Sequence, residues 1–209
     1  MTLTAEISST ALIHPNVRLG EGVVIEDFCI VGAPPRGRLS GELETVIGDN
    51  AVIRSHTVIY AGNRIGHNFQ TGNKVNVREL NEIGDDVSVG TLSVIEHHVE
   101  IGKGVRIHTQ AFVPEYTVLE DESWIGPNVV ITNAKYPRSP DVKSQLLGAR
   151  VCKGAIVGAN ATLLPGVVIG EKSLVGAGSV VITNTEPLTV WAGSPAKYIK
   201  SMRELPYRL

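Results

Sequence analysis

Aliphatic residues recur in this chain every six positions, and that period constrains the fold more than any other feature. The series starts at Ile13, Leu19, Ile25 and Val31 and resumes at Ile47, Ile53, Ile59 and Ile65. It runs on through Ile83, Val89, Ile95, Ile101, Ile107, Val113, Leu119, Ile125 and Ile131, then returns at Val151, Val157, Leu163, Ile169, Val175 and Val181. Glycine often follows the aliphatic, as at Gly20, Gly48, Gly66, Gly84, Gly126, Gly158 and Gly176. A smaller residue stands two places before it, as at Ala51, Val87, Ser93, Ala111, Ala155 and Ser179. Six matches neither the 3.6 of a helix nor the alternation of a flat strand. It fits a short strand plus a turn, three of which close a triangular coil. About 25 such units imply roughly 8 stacked coils sharing one core. Aromatics supply only 5% of the chain, so small and branched side chains must fill that core.

Charge and composition exclude some classes. The formal net charge of −2 gives no basic field for nucleic acid. No apolar run is long enough for a membrane span and no secretory leader is evident, so the expectation is a cytoplasmic protein. Two cysteines, Cys29 and Cys152, are too few for a disulfide framework and read as small hydrophobes.

The register breaks in three places, and function concentrates on loops that a rigid scaffold holds. Residues 33–45, with Pro34, Pro35, Arg36 and Arg38, form one excursion, and residues 133–150 form the longest. Between them Asn63, Phe69 and Thr71 misfit the inward positions, so 63–81 is expected to be a distorted coil. The β-helix is expected to occupy 1–185. A connector and helix would follow over 186–209, with Ser194 as N-cap and Pro195 as first helical residue, covering the open end of the stack.

The segment Trp124-Ile125-Gly126-Pro127-Asn128-Val129-Val130-Ile131-Thr132-Asn133, followed by Tyr136-Pro137-Arg138-Ser139, resembles hexapeptide-repeat N-acetyltransferases of nucleotide-linked amino sugars, enzymes of surface polysaccharide synthesis. Ile156-Val157-Gly158-Ala159, Gly176-Ala177-Gly178-Ser179 and Ala192-Gly193-Ser194-Pro195-Ala196-Lys197 look like the same superfamily. Val31-Gly32-Ala33-Pro34-Pro35 resembles instead part of the acyltransferases of lipid A synthesis. The resemblance implies an all-β, left-handed parallel β-helix and a homotrimer with sites between neighbouring subunits. It implies acetyl-CoA as co-substrate, lying near Gly158, Ala159, Gly176 and Ala177, with Pro195 and Lys197 toward its phosphates. Many O-acetyltransferases of the superfamily carry a histidine where Tyr136 stands. A hydroxyl needs a base whereas a neutral amine carries its own lone pair, so Tyr136 tilts the expected acceptor toward an amine.

Glu115, His97 and His98 are candidates to take the amine proton, with Asn133 and Tyr136 beside the reacting groups. His67, Arg78, Glu79, His108 and Arg138 are candidate acceptor contacts. O-acetyl transfer to a sugar hydroxyl is the nearest alternative. A zinc carbonic anhydrase would need three convergent histidines, for which His67, His98 and His108 are the available set, and no metal is expected. A non-catalytic scaffold is the remaining alternative.

Overall fold

The computed structural model describes residues 5–207. The chain winds as a parallel β-helix whose two- to six-residue strands stack into three faces of eleven, nine and eight strands. One turn of the coil takes 18 residues: Glu82 and Ile83 pair with Glu100 and Ile101 on the third face, one coil on. Every second strand residue points inward, which is why Ile25, Ile53, Val89, Ile107, Ile125 and Val157 stack down the first face with almost no exposure. Both excursions leave the same edge, between the second and third faces. The first departs after Ala33 and rejoins at Thr45, and the second departs after Ile131 and rejoins at Arg150. The ladder closes beneath each of them, for Leu19 pairs with Ile47 and Leu119 with Val151. The turns use left-handed backbone, and asparagine holds that position at Asn50, Asn68, Asn128 and Asn160 because its short polar side chain tolerates it.

Residues 63–81, expected to be distorted, are regular coil. Strands Arg64–Ile65, Gln70–Thr71 and Asn76–Val77 pair with coils on both sides. The misfitting residues do point inward and their needs are met there. Phe69 fills a small-residue position completely buried, and the Thr71 hydroxyl accepts from the Arg54 amide at 2.9 Å. Cys29 is buried as expected of a small hydrophobe, whereas Cys152 is half-buried.

The tail differs from the helix expected at Ser194 and Pro195. Thr189–Gly193 joins the first face parallel to Leu174–Val175, and Ala196–Ser201 turns back antiparallel to it. The last coil would otherwise leave an unpaired strand edge, and pairing that edge outweighs the weak local helix signal. The helical content of the tail is the single 3₁₀ turn Met202–Glu204, capped by Ser201, whose hydroxyl accepts from the Arg203 amide. No helix among the described residues is long and apolar enough to cross a membrane.

Candidate functional site

At two edges of the prism the residue after the inward aliphatic is mostly glycine. At the edge between the second and third faces it is Tyr60, Arg78, Glu96, Pro114 and Thr132. The next residues are Glu79, His97, Glu115 and Asn133, followed by Leu80, His98 and Tyr116 in left-handed conformation. Coils stack at about 4.8 Å, so side chains 18 residues apart touch, and a polar column runs between the two excursion loops.

The lower part of the column is an ion cluster. Arg78 holds Glu79 bidentately at 2.8 and 2.9 Å, reaches Glu96 at 3.2 Å and lies 5.2 Å over the Tyr60 ring. Burial pushes the Glu79 carboxyl up, but hydrogen bonds from Arg78 and from its own backbone amide, together with the Arg78 charge, outweigh it and hold the carboxyl below its usual range. Arg78 is therefore already committed to two carboxylates.

The upper part is a chain of hydrogen-bonding groups. Asn133 Nδ2 donates to Glu115 Oε2 at 2.7 Å, and Glu115 Oε1 lies 3.5 Å from His97 Nε2. His97 Nδ1 and His98 Nδ1 are 2.8 Å apart, so one of them carries the proton. One neutral tautomer set satisfies every contact. His97 carries its proton on Nε2 toward the carboxylate and accepts on Nδ1 from His98 Nδ1–H, leaving His98 Nε2 with a free lone pair. His97 and Glu115 are about three-quarters covered, with side-chain exposures of 26% and 23%, while His98 is exposed. The Tyr116 ring lies 5.8 Å from that of His98.

The structure thus brings together Arg78, Glu79, His97, His98, Glu115 and Asn133. It adds Glu96, Tyr60 and Tyr116, which sequence reasoning did not place in the site. Tyr136 and Arg138 sit outside on the second excursion, where Tyr136 is 63% exposed and packs on Lys135. His67 lies on the edge between the third and first faces beside Asp49. His108 lies on the edge between the first and second faces, its ring 4.4 Å from Trp124. His67, His98 and His108 therefore occupy three different edges, and no group of three or more histidine, cysteine or carboxylate side chains poised for a metal occurs among the described residues.

His108 carries a pH signature of its own. Burial, and to a lesser degree Arg106, hold its imidazole below the ordinary value, and its Nε2 is buried without a partner. The unfolded chain then binds more protons than the folded one below about pH 6.5. This component of stability is complete above that pH and is lost as pH falls toward the depressed folded value. Urea unfolding at a series of pH values should show the loss in the parent and a smaller one in His108→Phe; equal slopes would refute it.

A recess of about 710 Å³ lies on the first face under the C-terminal segment. Trp124, Ile156, Leu174 and Met202 line it, along with Gly158, Gly176, Ala177 and Lys172. A Cβ on Gly158 would stand 2.5 Å from the Ala177 amide nitrogen, and one on Gly176 would stand 3.0 Å from Ala192 Cβ. The stacking of coils by itself therefore demands small residues there. Ala159 continues that edge, while Pro195 and Lys197 are exposed on the hairpin.

Residues 82–115 and 148–183 match the family described as bacterial transferase hexapeptide (six repeats). The match takes in about a third of the chain and describes its six-residue period there. The chain is 31% identical over 121 residues to galactoside O-acetyltransferase of Lactococcus lactis, covering 51% of this chain and 58% of that one. Over 202 residues it is 26% identical to the bifunctional protein GlmU of Thermotoga petrophila, covering 92% of this chain and 42% of that one. Among solved structures, LpxA, a UDP-N-acetylglucosamine acyltransferase from Bacteroides fragilis, superposes with a TM-score of 0.56 at 16% identity. The alignment covers 97% of this chain and 78% of that one, a likeness of fold. The chain spans 36% to 60% of the length of curated relatives it matches.

Proposed function

We propose that this protein is a hexapeptide-repeat, acetyl-CoA-dependent N-acetyltransferase of the cytoplasm. Its acceptor would be an amino sugar, nucleotide-linked, used in surface polysaccharide synthesis. The observation that carries the reading is the chain Asn133–Glu115–His97–His98, which ends on a free imidazole nitrogen in a half-buried column. The sugar amine attacks the thioester carbonyl carbon; the C–N bond forms, the C–S bond breaks, and backbone N–H groups stabilise the oxyanion between the two steps. His98 Nε2 takes the amine proton and returns one to the departing thiolate, while Glu115 stabilises the charge passed to His97.

Three carboxylates in the column, Glu79, Glu96 and Glu115, face one arginine, Arg78. That balance favours an acceptor arriving as an ammonium cation, which sheds one proton to solvent to become the attacking amine, and leaves phosphate recognition to other groups, such as Arg138 on the excursion. The first-face recess suits a pantetheine arm, with apolar walls at Trp124, Ile156 and Leu174 and a cation at Lys172. It lies across the prism from the column, so one subunit cannot bring an acetyl group in its own recess to its own His98. A homotrimer solves this by setting the recess of one copy against the column of the next. The outward side of the second face supports such packing, for Ile30, Val58, Val94, Phe112 and Val130 line it.

One observation favours O-acetyl transfer as the second reading. The histidine pair supplies the base that a hydroxyl needs, although Tyr136 does not. A thiol-release assay with acetyl-CoA separates the two. Turnover is expected with at least one nucleotide-linked amino sugar; turnover with hydroxyl acceptors alone would sink the amine reading.

A further inference from the structure

Asn63 and Asn81 are the two fully buried carboxamides among the described residues. They occupy the inward small-residue position of the third face, where neighbouring coils place Thr45, Val99, Thr117 and Ala149. A buried amide costs stability unless its polar atoms are paired, and these are paired in one direction. Asn63 Nδ2 donates to the Tyr60 carbonyl at 2.7 Å and to the Arg78 carbonyl at 2.8 Å. Asn81 Nδ2 donates to the same Arg78 carbonyl at 2.8 Å. Asn63 Oδ1 accepts from the Asn81 amide at 2.9 Å, and Asn81 Oδ1 accepts from the Val99 amide at 2.7 Å.

The partners are not scattered over the coil. Tyr60 carries the ring under the Arg78 guanidinium, Arg78 begins the ion cluster, and Val99 follows His98 directly. Two amides converging on one carbonyl fix the corner from which Arg78 and Glu79 project. The bond to Val99 ties the next corner, with His97 and His98, to the same ladder. A shift of about 1 Å in such a corner is enough to cost a large part of a rate.

We infer that Asn63 and Asn81 are positioning residues: an internal amide ladder that holds the Arg78–Glu79 and His97–His98 corners in register for acceptor binding. The inference rests on the column being the acceptor site. A purely structural role would instead be met by any inward residue that packs well, and valine does so one coil on, at Val99.

The test compares Asn81→Val with Asn81→Ser in the intact protein. Valine keeps the volume close and removes both bonds. Serine can restore them, since inward serines elsewhere make each kind of bond: Ser173 donates to the Gly170 carbonyl three residues before it at 2.6 Å, and Ser93 accepts from the Ala111 amide one coil on at 3.2 Å. Ser173→Ala, at a distant inward position, controls for general loss of a buried hydrogen bond. Asn81→Val should raise the acceptor KM about tenfold or more and leave the KM for acetyl-CoA unchanged. Asn81→Ser should return close to the parent, and Ser173→Ala should leave the acceptor KM where it is. A second readout needs no turnover: the ¹⁵N imidazole signals of His97 and His98 should shift in Asn81→Val, return in Asn81→Ser and stay put in Ser173→Ala. If the parent transfers no acetyl group but the imidazole pattern holds, the positioning stands and the proposed activity fails. Unmoved imidazoles in Asn81→Val, or acceptor and acetyl-CoA constants moving together, would overturn the positioning role.

Discussion

Replacing His98 by alanine is expected to lower kcat about 10²–10⁴-fold, the range for loss of a positioned base, with little change in the KM for acetyl-CoA. The expectation singles out His98 because of how the nitrogens are used. Both nitrogens of His97 are engaged, one facing Glu115 and one facing His98. Only His98 has a nitrogen left for substrate. Glu115→Gln should cost less, since it removes the charge that stabilises the His97 side of the chain while keeping a hydrogen-bonding group. Asn133→Ala should cost least, because it loses only the 2.7 Å bond that orients the carboxylate. The losses should not add, because the residues act as one unit: Glu115→Gln on top of His98→Ala should change little. A His98→Ala enzyme within a few-fold of the parent would remove the imidazole pair from the mechanism.

The solenoid was legible because its inward positions admit few residue types: a large aliphatic every sixth place, with a small residue two before it, leaves a periodic trace. The site was legible only residue by residue. Arg78, Glu79, His97, His98, Glu115 and Asn133 each stood out, but their meeting depends on the 18-residue coil rather than the six-residue hexad. Sorting the hexads into three phases separates the edges. Gly20, Gly48, Gly66, Gly84 and Gly102 fall on one and Gly72, Gly90, Gly126, Gly158 and Gly176 on another, while Tyr60, Arg78, Glu96, Pro114 and Thr132 fall on the third. Side chains at a corner that does not require glycine are the signal that would have placed Glu96 and Tyr60 in the site. The tail was misread for a different reason. Ser194-Pro195 is a fair helix start locally, but the strand edge at Leu174–Val175 is a non-local demand that no short window contains. The same holds for Asn63 and Phe69, whose residue types look wrong for a core until their partners are known.

Phe69→Ala tests that last point, and it should destabilise the protein by about 3–5 kcal/mol. The ring is completely buried at a position that other coils of the first face give to Val23, Ala51, Val87, Val105 or Ala155. Transfer of the side chain from water accounts for about 1.5–3 kcal/mol. The remainder comes from the cavity left behind, because strands paired on both sides cannot collapse into it. If Phe69 lay in a loosened coil, as its misfit to the hexad suggested, relaxation would absorb most of this and the loss would fall to about 1 kcal/mol or less. Urea denaturation distinguishes the two values directly. A coil contacts only its neighbours, so the damage should also be local. Amide exchange should accelerate most around Val52 and Gln70, whose N–H groups bond to the Phe69 and Val87 carbonyls, and least at Gly158 and beyond. Arg78 and Glu79 belong to the same coil, at its edge between the second and third faces, so a fall in acceptor affinity should accompany the loosening while the distant first-face recess keeps its own. A uniform rise in exchange along the whole prism would show instead that the coils unfold as one unit.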